Sequence, residues 1–240
     1  MTKKCFRSWL FCTVALASGA ISAQSHPSSP AAELRLRIAL SQTGKGRSVP
    51  AVIWLEPVGG TPNKPFLPKG SYTLLQKNRM FIPHLQVIPV GAVVQFPNVD
   101  PFFHNVFSLF EGKRFDLGLY EAGSSKSVTF SREGVSYIFC NIHPEMSAVV
   151  LSLSSSLYTI ADTNNAFLLR DIPTGDYNLH LWVEGVSPPV LDRLTRPLHL
   201  SSGTLDLGAL SIPTTPLVNA THENKFGNPY DPNSKSPYER

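Results

Sequence analysis

Cys140-Asn-Ile-His143-Pro-Glu-Met146 sets a thiol, an imidazole and a thioether within seven residues, directly after the strand-like run Val135-Ser-Tyr-Ile-Phe139. Thiolate and imidazole donors with a weak axial thioether, completed by a second histidine, are what a mononuclear blue-copper centre is built from. This chemistry needs a second histidine within reach and a Cys140 with no other fate.

The start of the chain bears on the cysteine. Lys3, Lys4 and Arg7 form a basic start, Trp9 to Ala17 an apolar core, and Ile21-Ser22-Ala23 a small-residue cleavage site, so residues 1–23 read as a secretory signal peptide. An apolar core of about nine residues is too short to span a bilayer. Cys12 lies inside that core without the small residue a lipid-attachment site needs before it. Removing the segment takes Cys5 and Cys12 and leaves Cys140 alone, so an internal disulfide is excluded in an oxidising compartment. The expected protein is exported, periplasmic in a bacterium and otherwise secreted. A lone cysteine is most often buried and inert. His143 and Met146 beside this one favour a metal ligand.

The formal charge of +4 shrinks with that segment: of 21 Lys and Arg, 18 remain against 17 Asp and Glu. No basic footprint for nucleic acid survives, and no later segment reads as a membrane span. Twenty-one prolines, frequent glycine and few helix-period runs predict an all-β protein.

Leu34, Leu36, Ile38 and Leu40 alternate with Arg35, Arg37 and Ala39, a period of two that predicts a half-buried strand. Val49 to Leu55 is a second strand, and the Gly- and Pro-rich 57–70 a loop. Further strands are predicted over 85–88, 93–96, 106–109, 127–130, 136–139 and 148–153, with turn residues between them. Short strands at this spacing predict a Greek-key sandwich over 34–153. Ser152-Leu-Ser-Ser-Ser156 marks a boundary, after which 157–213 supplies strands for a smaller β-sandwich. Residues 24–33 read as a flexible lead, and the polar 214–240 as a disordered or surface-hugging tail.

Seven histidines are available. His26 and His222 lie in the two ends, and His180 and His199 alternate away from apolar neighbours toward solvent. His104 stands at a strand start, in Phe103-His104-Asn105-Val106, where it can face the loop that follows another strand. His84 reads as a strand residue with a solvated imidazole; its functional alternative is a fifth ligand or a residue on copper's way in.

A strand ending in an aromatic residue, then Cys-x-x-His-Pro-x-Met, with His104-Asn105-Val106 upstream, resembles the cupredoxins, and the loop length is similar to that of the amicyanin group. Pro83, Gly91, Val94, Phe96 and Asn98 fit the same pattern, which covers roughly residues 75–153. The resemblance implies one copper ion with His104, Cys140 and His143 as equatorial ligands and Met146 as the weak axial one. It also implies that the Asn105 backbone N–H donates to the Cys140 sulfur. Glu145 departs from the pattern: a carboxylate there would lower the potential, repel an acidic partner or offer an alternative oxygen ligand. A dinuclear copper site fails because Ser136 stands where a second cysteine is needed. Structural zinc sites seldom use methionine, and a catalytic cysteine needs a base that a separate acid orients.

The resemblance further implies an electron port at the edge of His143, ringed by Pro101, Phe102 and Pro144, for a transient redox partner protein. Phe103 fits core packing equally well. Phe167-x-x-x-Asp-Ile-Pro-x-Gly-x-Tyr-x-Leu resembles the transthyretin-like or carboxypeptidase-regulatory-like β-sandwich, grouped with carbohydrate-binding-like folds. That motif indicates fold and not activity. Trp182 is expected to pack against a neighbouring domain or tail, in preference to stacking on a glycan. The function expected is an exported one-electron carrier and not an enzyme, since four ligands leave no open position for substrate. The alternatives are copper capture or delivery without redox shuttling, and an extracellular binding module with a structural metal.

Overall fold

The computed structural model describes residues 31–40, 48–61, 65–109, 112–213 and 224–229. The expected signal peptide, Cys5 and Cys12, His26 and His222 lie outside the described residues, as do most of the lead and tail. Among the described residues no helix is long and apolar enough to cross a membrane.

The chain opens with β1 (Ala31–Leu40) and β2 (Ala51–Pro57). Then come β3 (Tyr72–Thr73), β4 (Leu75–Lys77), β5 (Met80–Ile82), β6 (Leu85–Pro89), β7 (Val93–Pro97) and β8 (His104–Ser108). The series continues with β9 (Phe115–Tyr120), β10 (Ser125–Thr129), β11 (Gly134–Phe139) and β12 (Ser147–Leu153). It ends with β13 (Tyr158–Ile160), β14 (Ala166–Pro173), β15 (Gly175–Val183), α1 (Pro188–Asp192), β16 (Arg196–Leu200) and β17 (Gly203–Ile212). The all-β expectation is met.

Residues 72–153 form two sheets, ordered β6-β12-β11-β8-β9 and β10-β7-β3, with the hairpin β4-β5 beside them. In β7 the burial alternates, so Val94 and Phe96 point inward as a period of two requires. They meet Leu74, Val106, Ile138, Ala148 and Val150 in one core, which also holds Cys140 and Met146. β9, which sequence periodicity did not single out, carries Gly118 at φ 66. Its pairing with β8 shifts register between Asn105 and Phe107, a bulge at the sheet edge.

The second sandwich differs from expectation. Its sheets are β14-β1-β17 and β13-β2-β15-β16. β1 and β2, expected within the first domain, are inner strands of the second. β1 pairs with β14 antiparallel and with β17 parallel, and β2 pairs with β15 from Ala51↔Val183 to Pro57↔Tyr177. The division into 34–153 and 157–213 is therefore corrected: residues 31–57 belong with the C-terminal strands. Residues 31–33, expected in the flexible lead, already lie in β1. Alternation reveals which face a strand buries but not which strand it pairs with, and no local signal marked these partners.

The two sandwiches share a sheet, each core packing on one of its two faces. β12 is buried along almost its whole length, Ala148 and Val150 in the first core and Val149, Leu151 and Leu153 in the second. Val87 adds to the second core, and Leu85, Val135 and Tyr137 pack against it. Trp182 is 1% exposed in this interface, with its indole N–H donating to the Tyr137 hydroxyl at 3.4 Å. Packing against the neighbouring domain is thus the fate of Trp182. The glycan-stacking role is corrected, because a buried indole offers no face to a sugar.

Candidate metal centre

Two elements bring the donors together. β11 and β12 pair in register up to Phe139↔Ser147, so the residues between them must turn back within one short loop. The loop closes on itself: the Cys140 N–H donates to the Met146 carbonyl at 3.1 Å, and the Met146 N–H to that of His143 at 3.0 Å. β8 lies on the other side of β11 through Phe107↔Phe139, which puts His104, its first residue, opposite the loop.

His104 Nδ1 and His143 Nδ1 are 3.1 Å apart, and the Cys140 sulfur lies 3.7 and 3.5 Å from them. All three residues are buried. Donors bound to one ion at about 2.1 Å for nitrogen and 2.3 Å for sulfur stand about 3.4–3.6 Å apart in tetrahedral geometry. The observed sides of 3.1, 3.5 and 3.7 Å lie within about 0.3 Å of that range, and the donor set is the soft–borderline mixture that suits copper. Met146 is fully buried in the same core.

The sequence reading missed Asp100. Its carboxylate is 2.8 Å from His104 Nε2 and accepts the backbone N–H groups of Asn78 at 2.6 Å and Arg79 at 3.0 Å. Those two amides form the turn of the β4-β5 hairpin, where both residues adopt positive φ of 55°. Such a turn is costly for arginine, and the carboxylate offsets the cost by capturing both N–H groups. Asn98 holds the loop in place. Its side chain accepts the Asp100 N–H at 3.1 Å and donates to the Phe102 carbonyl at 2.8 Å. With Nε2–H donating to Asp100, the His104 lone pair sits on Nδ1 and faces the cluster. An aspartate four residues before a histidine is a weak pattern in an irregular loop. Only the fold shows the carboxylate reaching the ring.

Burial pushes the His104 pKa down, outweighing the hydrogen bond to Asp100, so the ring is neutral and ready to ligate. Burial likewise pushes the Cys140 thiol up, against the backbone N–H groups of Ile142, Asn105 and His143 that lower it. Those three donors aim at the sulfur, and they include the one expected from Asn105. Glu145 adds a small upward push by its charge. It is exposed and not among the clustered donors. His84 is not brought to the cluster either. Its Nδ1 lies 3.1 Å from the Ser147 carbonyl and its Nε2 2.6 Å from Glu184, so neither ring nitrogen is left for an ion. The fifth-ligand alternative for His84 is thereby corrected.

Around His143, Pro101 and Pro144 are exposed and Phe102 is half-buried. The Phe102 ring lies 5.2 Å from the His104 ring and 5.6 Å from that of His143. Phe103 is 40% exposed, which places it at the surface and not in the core.

No family model matches the chain, and no curated protein matches it. Among solved structures, the copper-containing nitrite reductase of Thermus scotoductus SA-01 aligns with 41% of this chain at 24% identity and a TM-score of 0.34. The chain covers 25% of that reductase. The purple cupredoxin of Nitrosopumilus maritimus aligns with 35% of the chain and is itself covered in full, at 25% identity and a TM-score of 0.31. An amicyanin variant in its reduced state aligns with 38% of the chain over 94% of its own length, at 20% identity and a TM-score of 0.33. Overlaps of this quality are partial likenesses.

Proposed function

We propose that this chain is an exported mononuclear type 1 copper protein of the cupredoxin kind, passing one electron at a time to and from a transient protein partner. The observation that carries this reading is the buried triangle of His104 Nδ1, His143 Nδ1 and Cys140 Sγ, all within 4.8 Å of one another. Met146, buried in the same core, is the candidate axial thioether. Copper held there would supply a one-electron couple between Cu(I) and Cu(II).

The chain's own residues do the rest. Asp100 holds the Nε2 proton of His104 and so fixes the tautomer that presents Nδ1. The N–H groups of Asn105, Ile142 and His143 stabilise negative charge on the sulfur. Because β8, β11 and β12 lie side by side in one sheet, the donors are anchored on rigid elements. Little rearrangement then accompanies a change of charge, which favours fast electron transfer.

The port is the edge of His143, 3% exposed where His104, Cys140 and Met146 are each 0%. Pro101, Phe102 and Pro144 beside it suit a small transient interface. Export is supported by the basic start, apolar core and small-residue site of residues 1–23.

The copper-loaded, oxidised protein is expected to show an intense visible thiolate-to-copper absorption and a reversible one-electron couple, with the absorption lost in Cys140→Ser. A protein that stays colourless after loading and oxidation overturns the reading. Copper held only as Cu(I), with no reversible couple, points to capture or delivery instead.

A further inference from the structure

The described piece of the C-terminal tail, residues 224–229, lies against the metal loop. It is a self-supported turn: the Asn224 side chain accepts the N–H groups of Phe226 and Asn228 at 2.9 and 3.1 Å. The Asn224 N–H in turn donates to the Asn228 carbonyl at 2.9 Å. Phe226 is 72% exposed, so burial of its ring does not hold the turn in place. Polar bonds from Lys225 do.

The Lys225 backbone N–H donates to Asn141 Oδ1 at 2.9 Å. Asn141 directly follows Cys140. The Lys225 ammonium lies 2.8 Å from Asp116 Oδ2, while Asp116 Oδ1 accepts Asn105 Nδ2 at 2.7 Å and the Gly118 N–H at 2.9 Å. Asn105, in turn, is one of the backbone donors to the Cys140 sulfur. A single residue of the tail thus reaches both flanks of the thiolate, the loop through Asn141 and β8 through Asp116 and Asn105. An isolated surface ion pair contributes little. This one is partly shielded, at 26% and 39% side-chain exposure, and is coupled to a backbone bond on the other flank.

We propose that Lys225 is a positioning residue of the metal centre, and that residues 224–228 are a strap tying the Cys140–Met146 loop to β8 and β9. Its effect on a reduction potential rests on the copper reading; its effect on the loop does not. Without the ammonium, the Asp116 carboxylate that holds Asn105 loses its counter-charge. Added negative charge favours the oxidised, more positive state of the centre and lowers the potential.

The test uses the full chain with Lys225→Gln, Lys225→Arg and Asn141→Ala, read in two ways. In the metal-free protein, hydrogen exchange at the amides of Asn105, Ile142 and His143 is expected to speed up severalfold in Lys225→Gln and Asn141→Ala. Lys225→Arg, which keeps the ion pair, should restore slow exchange. In the copper-loaded protein, the potential of Lys225→Gln should fall while that of Lys225→Arg stays near wild type. Unchanged exchange overturns the strap, whatever the metal does. Faster exchange with an unaltered potential in a blue protein overturns the positioning role. Faster exchange in a protein that binds no redox-active copper supports the strap and sinks the copper reading instead.

Discussion

Asp100 is 4% exposed, yet its carboxylate is held below the usual range. Burial pushes the other way and is outweighed by the Arg79 N–H, the His104 ring and the Asn78 N–H. An amide in its place would turn its own N–H₂ toward one of these three donors, and the His104 tautomer would no longer be fixed. Loss of such a partner typically costs about 10- to 100-fold in metal affinity. Asp100→Asn is therefore expected to weaken copper by that factor in a competition titration. Removing a negative charge should also raise the reduction potential. A variant with unchanged affinity and potential would reduce Asp100 to a cap on the Asn78-Arg79 turn. Cys140, His143 and Met146 were legible because loop spacing alone keeps them close. Asp100 was not, because its partner lies on the far side of an irregular loop.

At the scale of elements, the segment before β6 is joined to the end of β15 by His84 and Glu184. The carboxylate of Glu184 raises the His84 pKa above 6.5, against desolvation and with help from the Ser147 carbonyl. The protonated ring donates to both partners. Its stabilisation is fully present below the unfolded pKa of about 6.5 and is lost as pH rises through the higher folded value. Side-chain exposures of 42% and 31% keep it to under about 1 kcal/mol. Denaturant titrations across pH should show wild type more stable than His84→Gln at mildly acid pH, with the difference fading toward alkaline pH. A difference that grows with pH would contradict the bridge. Period-two patterning located most strands near the site, including β6, β7, β10, β11 and β12. It passed over β9, where Gly118 and the bulge interrupt the repeat.

On the scale of the whole molecule, the two sandwiches are interleaved in sequence and fused across β12. A fragment of residues 157–213 lacks β1 and β2, an inner strand from each of its two sheets. It also leaves Trp182 without the Tyr137 face it packs on. Expressed alone, this fragment is expected to be unfolded by circular dichroism, with no cooperative thermal transition, whereas the full chain unfolds cooperatively. A folded 157–213 fragment would restore the sequential domain division. Such interleaving gives the metal sheet a second core on its outer face, so that β11 and β12 are clamped from both sides.

By itself, the sequence determined the donor types, their spacing in the Cys140–Met146 loop, the all-β class and the sign of the charge balance. These are properties of neighbours along the chain, where covalent spacing and local periodicity limit the outcome. Only the tertiary structure decided that Asp100 reaches His104 and that His84 turns to Glu184. It alone paired β1 and β2 with the C-terminal strands and brought Lys225 back to Asn141 and Asp116. Each of these joins residues far apart in sequence or across an irregular loop. Strand alternation encodes a face to be buried, but the partner that buries it is selected by packing of the whole chain.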